Sequence, residues 1–285
     1  MSPATSRARG FGARLKAAID ARGPLCVGID PHASLLDAWG LHDDAGGLET
    51  FASTCVEALA PHAAVIKPQS AFFERFGAAG VAVLERTIRD CQAAGALVLL
   101  DVKRGDIGST AQAYAEAFLH ADAAAPVDAV TVSPYLGFGS VTPFLDVAQA
   151  HGRGVFVLAL TSNPEAPALQ GARTEAGPTV AGSVLEGIAE ENRSRYADAP
   201  LGSIGAVVGA TIGSTDEQLD IGGPILAPGF GAQGGTVEDL RRIFDGVLDR
   251  VLPTTSREVL GAGPNVAALV QKVQQVAESV RGLGG

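Results

Sequence analysis

The sequence predicts an α/β fold, a closed (β/α)8 barrel carrying one extra helix at its N-terminus. Three observations lead there. About eight short apolar runs alternate with longer amphipathic, Ala-rich segments, the pattern of parallel βαβ units. The runs end in polar or charged residues, in order Asp30, Lys67, Asp101/Lys103, Ser133, Thr161/Ser162, Thr211, Pro228-Gly229 and Ser256-Arg257, which a barrel would gather at one mouth. The chain has 285 residues, 47% hydrophobic and 18% charged, and no composition break marks a linker, so a single domain is expected over 1–285. A doubly wound open sheet is the other arrangement that this alternation allows.

Residues 11–21 read as a leading helix stopped by Gly23-Pro24. A first strand at 25–29 ends at Asp30-Pro31; a helix at 48–59 and a strand at 63–66 follow. A long helix is expected over 72–94. The next run, Ala96 to Leu100, is short and continuously apolar, as in a strand buried on both faces. It leads into Asp101, Lys103 and Asp106. Asp101 and Lys103 stand two apart and so point the same way at a strand end, Asp106 falls in the loop, and Ser109 or Thr110 can cap the helix after it. A surface ion pair would be the bland reading. The apolar run argues against it, because charges at the mouth of a buried strand are partly desolvated.

Further along, a helix at 109–122, a strand at 127–132, a helix at 141–150 and a strand at 154–160 are expected. The long 163–178 loop has the length of a lid or binding loop. A helix at 180–196, strands at 205–209 and 224–227 with a short helix at 216–221 between them, a helix at 237–244, a strand at 251–255 and a helix at 264–281 with Pro264 in its first turn complete the chain.

Composition excludes several classes. The net charge of -10, with no Lys/Arg run to offset it, argues against nucleic acid as a partner. No run approaches the ~18 apolar residues that span a bilayer, and residues 1–14 lack the apolar core of a signal peptide, so a cytoplasmic protein without membrane attachment is expected. Cys26, Cys55 and Cys91 are odd in number and widely spaced, consistent with buried thiols in a reducing compartment. The five histidines show no ligand spacing, and no metal site is expected.

Pro228 to Gly235 contains G-x-G-x-x-G, from Gly229 to Gly234. It follows the seventh strand rather than the first, so a dinucleotide fingerprint is disfavoured. The loops after strands seven and eight of a barrel commonly hold a phosphate on backbone N–H groups and a helix N-terminus, and Arg257 can add a charged contact. A flexible turn is the alternative.

These residues resemble one family. Asp101-x-Lys103-x-x-Asp106-Ile107-x-x-Thr110 is similar to the signature of the orotidine 5'-phosphate decarboxylases, in particular the longer bacterial subgroup. Val27 to Pro31, Ile66 to Gln69, Ser133 to Gly137, Thr161 to Pro164 and Pro228 to Gly235 match in the same order, so the resemblance covers nearly the whole chain. Val102 stands where Ala is expected and Ser133 where Asn is expected; Thr254-Thr255-Ser256-Arg257-Glu258 replaces a more usual Asn-Ser-Ser-Arg-Gly.

The resemblance implies a TIM barrel that converts orotidine 5'-phosphate to uridine 5'-phosphate without a cofactor, in pyrimidine synthesis. Lys103 would stabilise and protonate the C6 carbanion, with Asp101, Asp106 and Lys67 completing an alternating charge array. Asp30 and Lys67 would bind ribose, Ser162 the pyrimidine, and Pro228, Gly229, Gln233, Gly234 and Arg257 the phosphate. A homodimer is implied, with Asp106, Ile107 and Thr110 entering the partner's site. A metal-dependent sugar-phosphate decarboxylase or epimerase on the same barrel is the alternative; it would need an extra carboxylate, and position 67 holds Lys. A lysine flanked by carboxylates stays protonated, which disfavours a Schiff-base aldolase. A non-catalytic nucleotide-binding barrel would not need all four charges.

Overall fold

Eight parallel strands close into a barrel in the computed structural model, which describes residues 10–283. They are β1 (Cys26–Ile29), β2 (Val65–Pro68), β3 (Leu97–Arg104), β4 (Ala129–Val132), β5 (Gly154–Leu160), β6 (Ile204–Val208), β7 (Ile225–Pro228) and β8 (Val251–Thr255), each paired with its sequence neighbours and β8 with β1. The open sheet is thereby excluded. Helices run outside: α1 (Phe11–Arg22), α2 (Ala33–Ala38), α3 (Ala45–Leu59), α4 (Ser70–Glu74), α5 (Gly77–Ala93), α6 (Gly108–Leu119), α7 (Thr142–Ala150), α8 (Ala166–Gln170), α9 (Val180–Arg195), α10 (Val237–Ile243), α11 (Arg257–Leu260) and α12 (Val266–Val280).

Strand alternation sorts the core into two layers. Cys26, Val65, Leu99, Phe156, Val207, Leu226 and Leu252 point inward and fill the barrel, whereas Val27, Ile66, Val98 and Val155 point outward against the helices. The inner layer also includes Phe11 and Leu15 of α1. Phe11 meets Phe156 edge to face at 5.9 Å, so α1 plugs the end of the barrel opposite the strand C-termini. Arg14 fixes it there, donating to Asp128 Oδ1 at 2.5 Å and to the Gly152 carbonyl at 3.0 Å.

The structure corrects five local expectations. The helix expected over 72–94 is broken into α4 and α5 at Arg75-Phe76, where Gly77 takes a φ of +61°. Among the described residues no helix joins β6 to β7; Leu219 and Ile221 are both buried but stand two apart, a spacing that suits irregular chain tucked against the core. Pro264 precedes α12, whose N-cap is Asn265, accepting from the Ala268 N–H at 3.0 Å. Ser109 and Thr110 lie inside the first turn of α6 and do not cap it; the N-cap is Ile107, whose N–H donates to Asp106 Oδ1 at 2.8 Å. The 163–178 loop contains the short helix α8. Residues 1–9, part of the 1–14 stretch expected to lack a signal-peptide core, lie outside the described residues.

Candidate active site

The charged cluster sits at the C-terminal mouth of the barrel, where β1, β2 and β3 end side by side. Asp101 is its centre. Its Oδ1 accepts from Lys103 Nζ at 2.5 Å and from Thr131 Oγ1 at 2.7 Å, and its Oδ2 accepts from Lys67 Nζ at 3.1 Å. Lys67 also donates to Gln69 Oε1 at 3.3 Å. Asp101 is 7% exposed and Lys67 5%, so this is a buried ion pair, whereas the Lys103 side chain reaches solvent.

Burial and charge pull against each other here, and charge wins on both partners. Burial alone would raise the Asp101 carboxyl, but Lys67, Lys103 and the hydrogen bond from Thr131 hold it well below the usual carboxylate range. Burial alone would lower the Lys67 ammonium, but Asp30 and Asp101 carry it above the ordinary lysine value. Both groups are therefore charged at neutral pH.

β3 does not end as a regular strand. Its register against β4 shifts between Leu100 and Arg104, and Lys103 has a φ of +44°, the one non-glycine residue with positive φ among those described. The ammonium reaches Asp101 from this left-handed residue rather than from a regular strand position.

A cleft of about 500 Å3, open to solvent, runs from Asp30, Lys67, Gln69 and Asp101 across the mouth to Pro228, Gly229, Gln233 and Arg257. Asp30 Oδ1 and Thr255 Oγ1 are buried in its wall with no hydrogen-bond partner among the described residues. Buried polar atoms are nearly always paired, so this wall suits a ligand bearing hydroxyl and acceptor groups.

At the far end the glycine-rich loop folds back on itself. The Gly235 N–H donates to the Gly229 carbonyl at 3.0 Å and the Gly231 N–H to the Gly235 carbonyl at 2.9 Å. Gly229, Gly231 and Gly234 take φ values of 100°, 77° and 97°, a region that favours glycine. Among the described residues the N–H groups of Ala232 and Gln233 have no acceptor, which leaves them for a ligand. The expected share of a helix N-terminus needs correcting. The first turn of α10 is occupied by its own capping box, Thr236 with Asp239, and carries Glu238 as well, so it is acidic. Arg257 lines the cleft on the other side, exposed and without an ion pair among the described residues.

Residues 23–272 match the model of a family described as "Orotidine 5'-phosphate decarboxylase / HUMPS family". An orotidine 5'-phosphate decarboxylase from Nocardioides sp. is 63% identical over 253 residues, 88% of this chain and 91% of its own length. One from Streptomyces coelicolor is 58% identical over 272 residues, 95% of this chain and 97% of its own. The chain belongs to this family. A crystal structure of a Streptomyces avermitilis protein described as an orotidine 5'-phosphate decarboxylase superposes with a TM-score of 0.93 at 56% identity, covering 97% of this chain and 96% of that one.

Set beside the family's pattern, Asp30, Lys67, Asp101, Pro228, Gly229, Gln233 and Arg257 share the cleft, and Lys103 is tied to it through Asp101. Gly234 belongs to the loop without lining the cleft, and Ser162, exposed at the tip of β5, packs close to Gly209. Asp106 is not brought to Lys103 within one chain: its carboxylate is turned to the Ile107 N–H. Ile107, 63% exposed, and Thr110, also exposed, do not line the cleft either. Three further residues at the site carry weaker signals in the sequence: Gln69 lies inside a matched segment, Thr255 inside the segment that departs from the family's pattern, and Thr131 shows only as one polar residue in the apolar run Ala129-Val130-Thr131-Val132.

Proposed function

We propose that this chain decarboxylates orotidine 5'-phosphate to uridine 5'-phosphate and CO2, with Lys103 as the proton donor. The observation that carries the reading is the Lys67–Asp101–Lys103 array at the barrel mouth, one cation buried and the other free to reach a ligand. The C6–carboxylate bond breaks and leaves its electron pair in an orbital in the ring plane, where no π-system delocalises it. A fixed ammonium stabilises that pair, and a proton from Lys103 Nζ then forms the new C6–H bond. Asp101 keeps the ammonium charged and placed beforehand, and its own charge beside the leaving carboxylate disfavours the ground state.

Asp30 Oδ1 and Lys67 suit the ribose hydroxyls. The Ala232 and Gln233 N–H groups, the Gln233 side chain and Arg257 suit the phosphate. Binding energy from that remote phosphate supports closure over the base, with Ser162 and the 163–178 loop moving in to complete the site. Asp106, Ile107 and Thr110 act in a partner's site across a homodimer. The exposed Ile107, Tyr135 and Leu136 at this mouth fit a self-complementary face. Among the described residues no helix is long and apolar enough to cross a membrane, and the reading places the enzyme in the cytoplasm, where pyrimidine synthesis would need it.

The test is loss of orotidine 5'-phosphate absorbance in the presence of EDTA, beside Lys103→Ala. Turnover that survives EDTA and falls by about 10³-fold or more in the variant is expected. Wild-type turnover abolished by EDTA, or none at all, would move the reading to metal-dependent sugar-phosphate chemistry.

A further inference from the structure

We infer that Thr131, in the middle of β4, is the positioning residue that sets the backbone and the ammonium of Lys103 for proton transfer. This rests on Lys103 being the proton donor. Opposite Thr131 the ladder is out of step: Leu100 pairs with Val130 and Arg104 with Val132, so the stretch from Val102 to Lys103 has no regular main-chain register. A bulge of this kind strands amides that a ladder would otherwise satisfy. The Thr131 hydroxyl supplies what is missing. Its Oγ1 accepts from the Val102 N–H at 3.1 Å and from the Lys103 N–H at 3.0 Å. Its own proton goes to Asp101 Oδ1 at 2.7 Å.

A hydroxyl has one donor and two acceptor sites, and here all three are used. With both acceptors committed to the bulge, the donor has a single direction left, towards Asp101. At 1% exposure no solvent competes for it. One oxygen thus couples two things the chemistry needs. It stabilises the left-handed backbone at Lys103, a conformation a lysine does not hold unaided, and it orients the carboxylate that receives the Lys103 ammonium. Valine has nearly the same shape and matches the run around it, so burial alone does not ask for a hydroxyl at this place.

Thr131→Val and Thr131→Ser, assayed beside wild type for steady-state decarboxylation and for uridine 5'-phosphate affinity, separate this role from plain stability. Expected for Thr131→Val is a kcat lower by about 10- to 100-fold with KM and product affinity within about threefold, since ribose and phosphate contacts are untouched. Thr131→Ser, which keeps the oxygen, should return kcat to within about fivefold of wild type. If the valine variant does not fold, Thr131→Cys, which loses the γ-methyl and puts a weakly hydrogen-bonding thiol in place of the hydroxyl, must show the same split, kcat down and KM held. Active wild type with unchanged kcat in the variants overturns the inference, as does a parallel fall of kcat and product affinity, or a folded serine variant as poor as valine. Inactive wild type removes the reading beneath it instead.

Discussion

Asp101 carries the linkage between site and stability. It is buried between two cations, and removing it leaves Lys67 in a desolvated place with Asp30 alone to compensate. Deleting one partner of a buried pair costs about 3–5 kcal/mol, so Asp101→Asn is expected to be markedly less stable as well as inactive. The cost depends on pH in a defined way. The folded-state pKa of Asp101 lies below its unfolded one, so its contribution is complete above about pH 4 and is lost as pH falls towards the folded value. Lys67 runs the other way: its folded pKa is raised, so its contribution is complete below about pH 10 and is lost above that. The gap between the urea midpoints of wild type and Asp101→Asn should be constant from about pH 5 to 9 and narrow at about pH 3. A gap that stays the same at pH 3 would mean that the pair is not what stabilises the mouth. Asp101, Lys103 and Lys67 were legible in the sequence because charges directly after apolar runs are conspicuous. Thr131 was not, since its importance comes from a register shift that no local spacing announces.

At the scale of elements, the β7–α10 loop shows what glycine is needed for. A methyl group on Gly231 would lie 3.2 Å from Glu258 Cβ and 3.3 Å from Thr255 Oγ1, on a backbone with φ +77°. Relieving that strain, about 1–2 kcal/mol for a left-handed alanine, means reshaping the loop that offers the Ala232 and Gln233 N–H groups. Gly231→Ala should therefore raise KM and weaken uridine 5'-phosphate binding by about tenfold, with less effect on kcat. Titration of product into the variant checks it, and unchanged affinity would remove the loop from phosphate binding. Most strands and long helices followed from alternation and spacing. Two of the departures fell where a left-handed Gly77 broke a helical run and where the Leu219/Ile221 segment looked helical but buries residues two apart, a spacing that one helix face does not offer. The acidic cap of α10 was also readable in principle, because Thr236 and Asp239 have capping-box spacing.

The whole molecule is a plugged barrel with its chemistry at one end and α1 at the other, and the two ends make different demands. At the plugged end the buried carboxylate is paired within the chain: Asp128 accepts from Arg14, Gln92 and the Val98 amide. The mouth keeps charge and apolar surface open to a partner. Asp106 turns away from Lys103, and Ile107, Tyr135 and Leu136 stay exposed on the same rim. A second copy that supplies Asp106 and covers this rim would meet both needs at once, and a two-fold arrangement makes the exchange reciprocal. That arrangement has a consequence that no monomer shares. Lys103→Ala and Asp106→Ala should each be nearly inactive alone. In a mixed dimer one site collects both lesions and the other has neither. Equal amounts of the two variants, allowed to exchange subunits, should therefore recover about a quarter of wild-type activity, since half the dimers are mixed and each has one intact site. Recovery should rise with exchange time and vanish on dilution below the dimer dissociation constant. If Asp106 served its own chain, one subunit would carry each lesion in its own site and mixing would restore nothing.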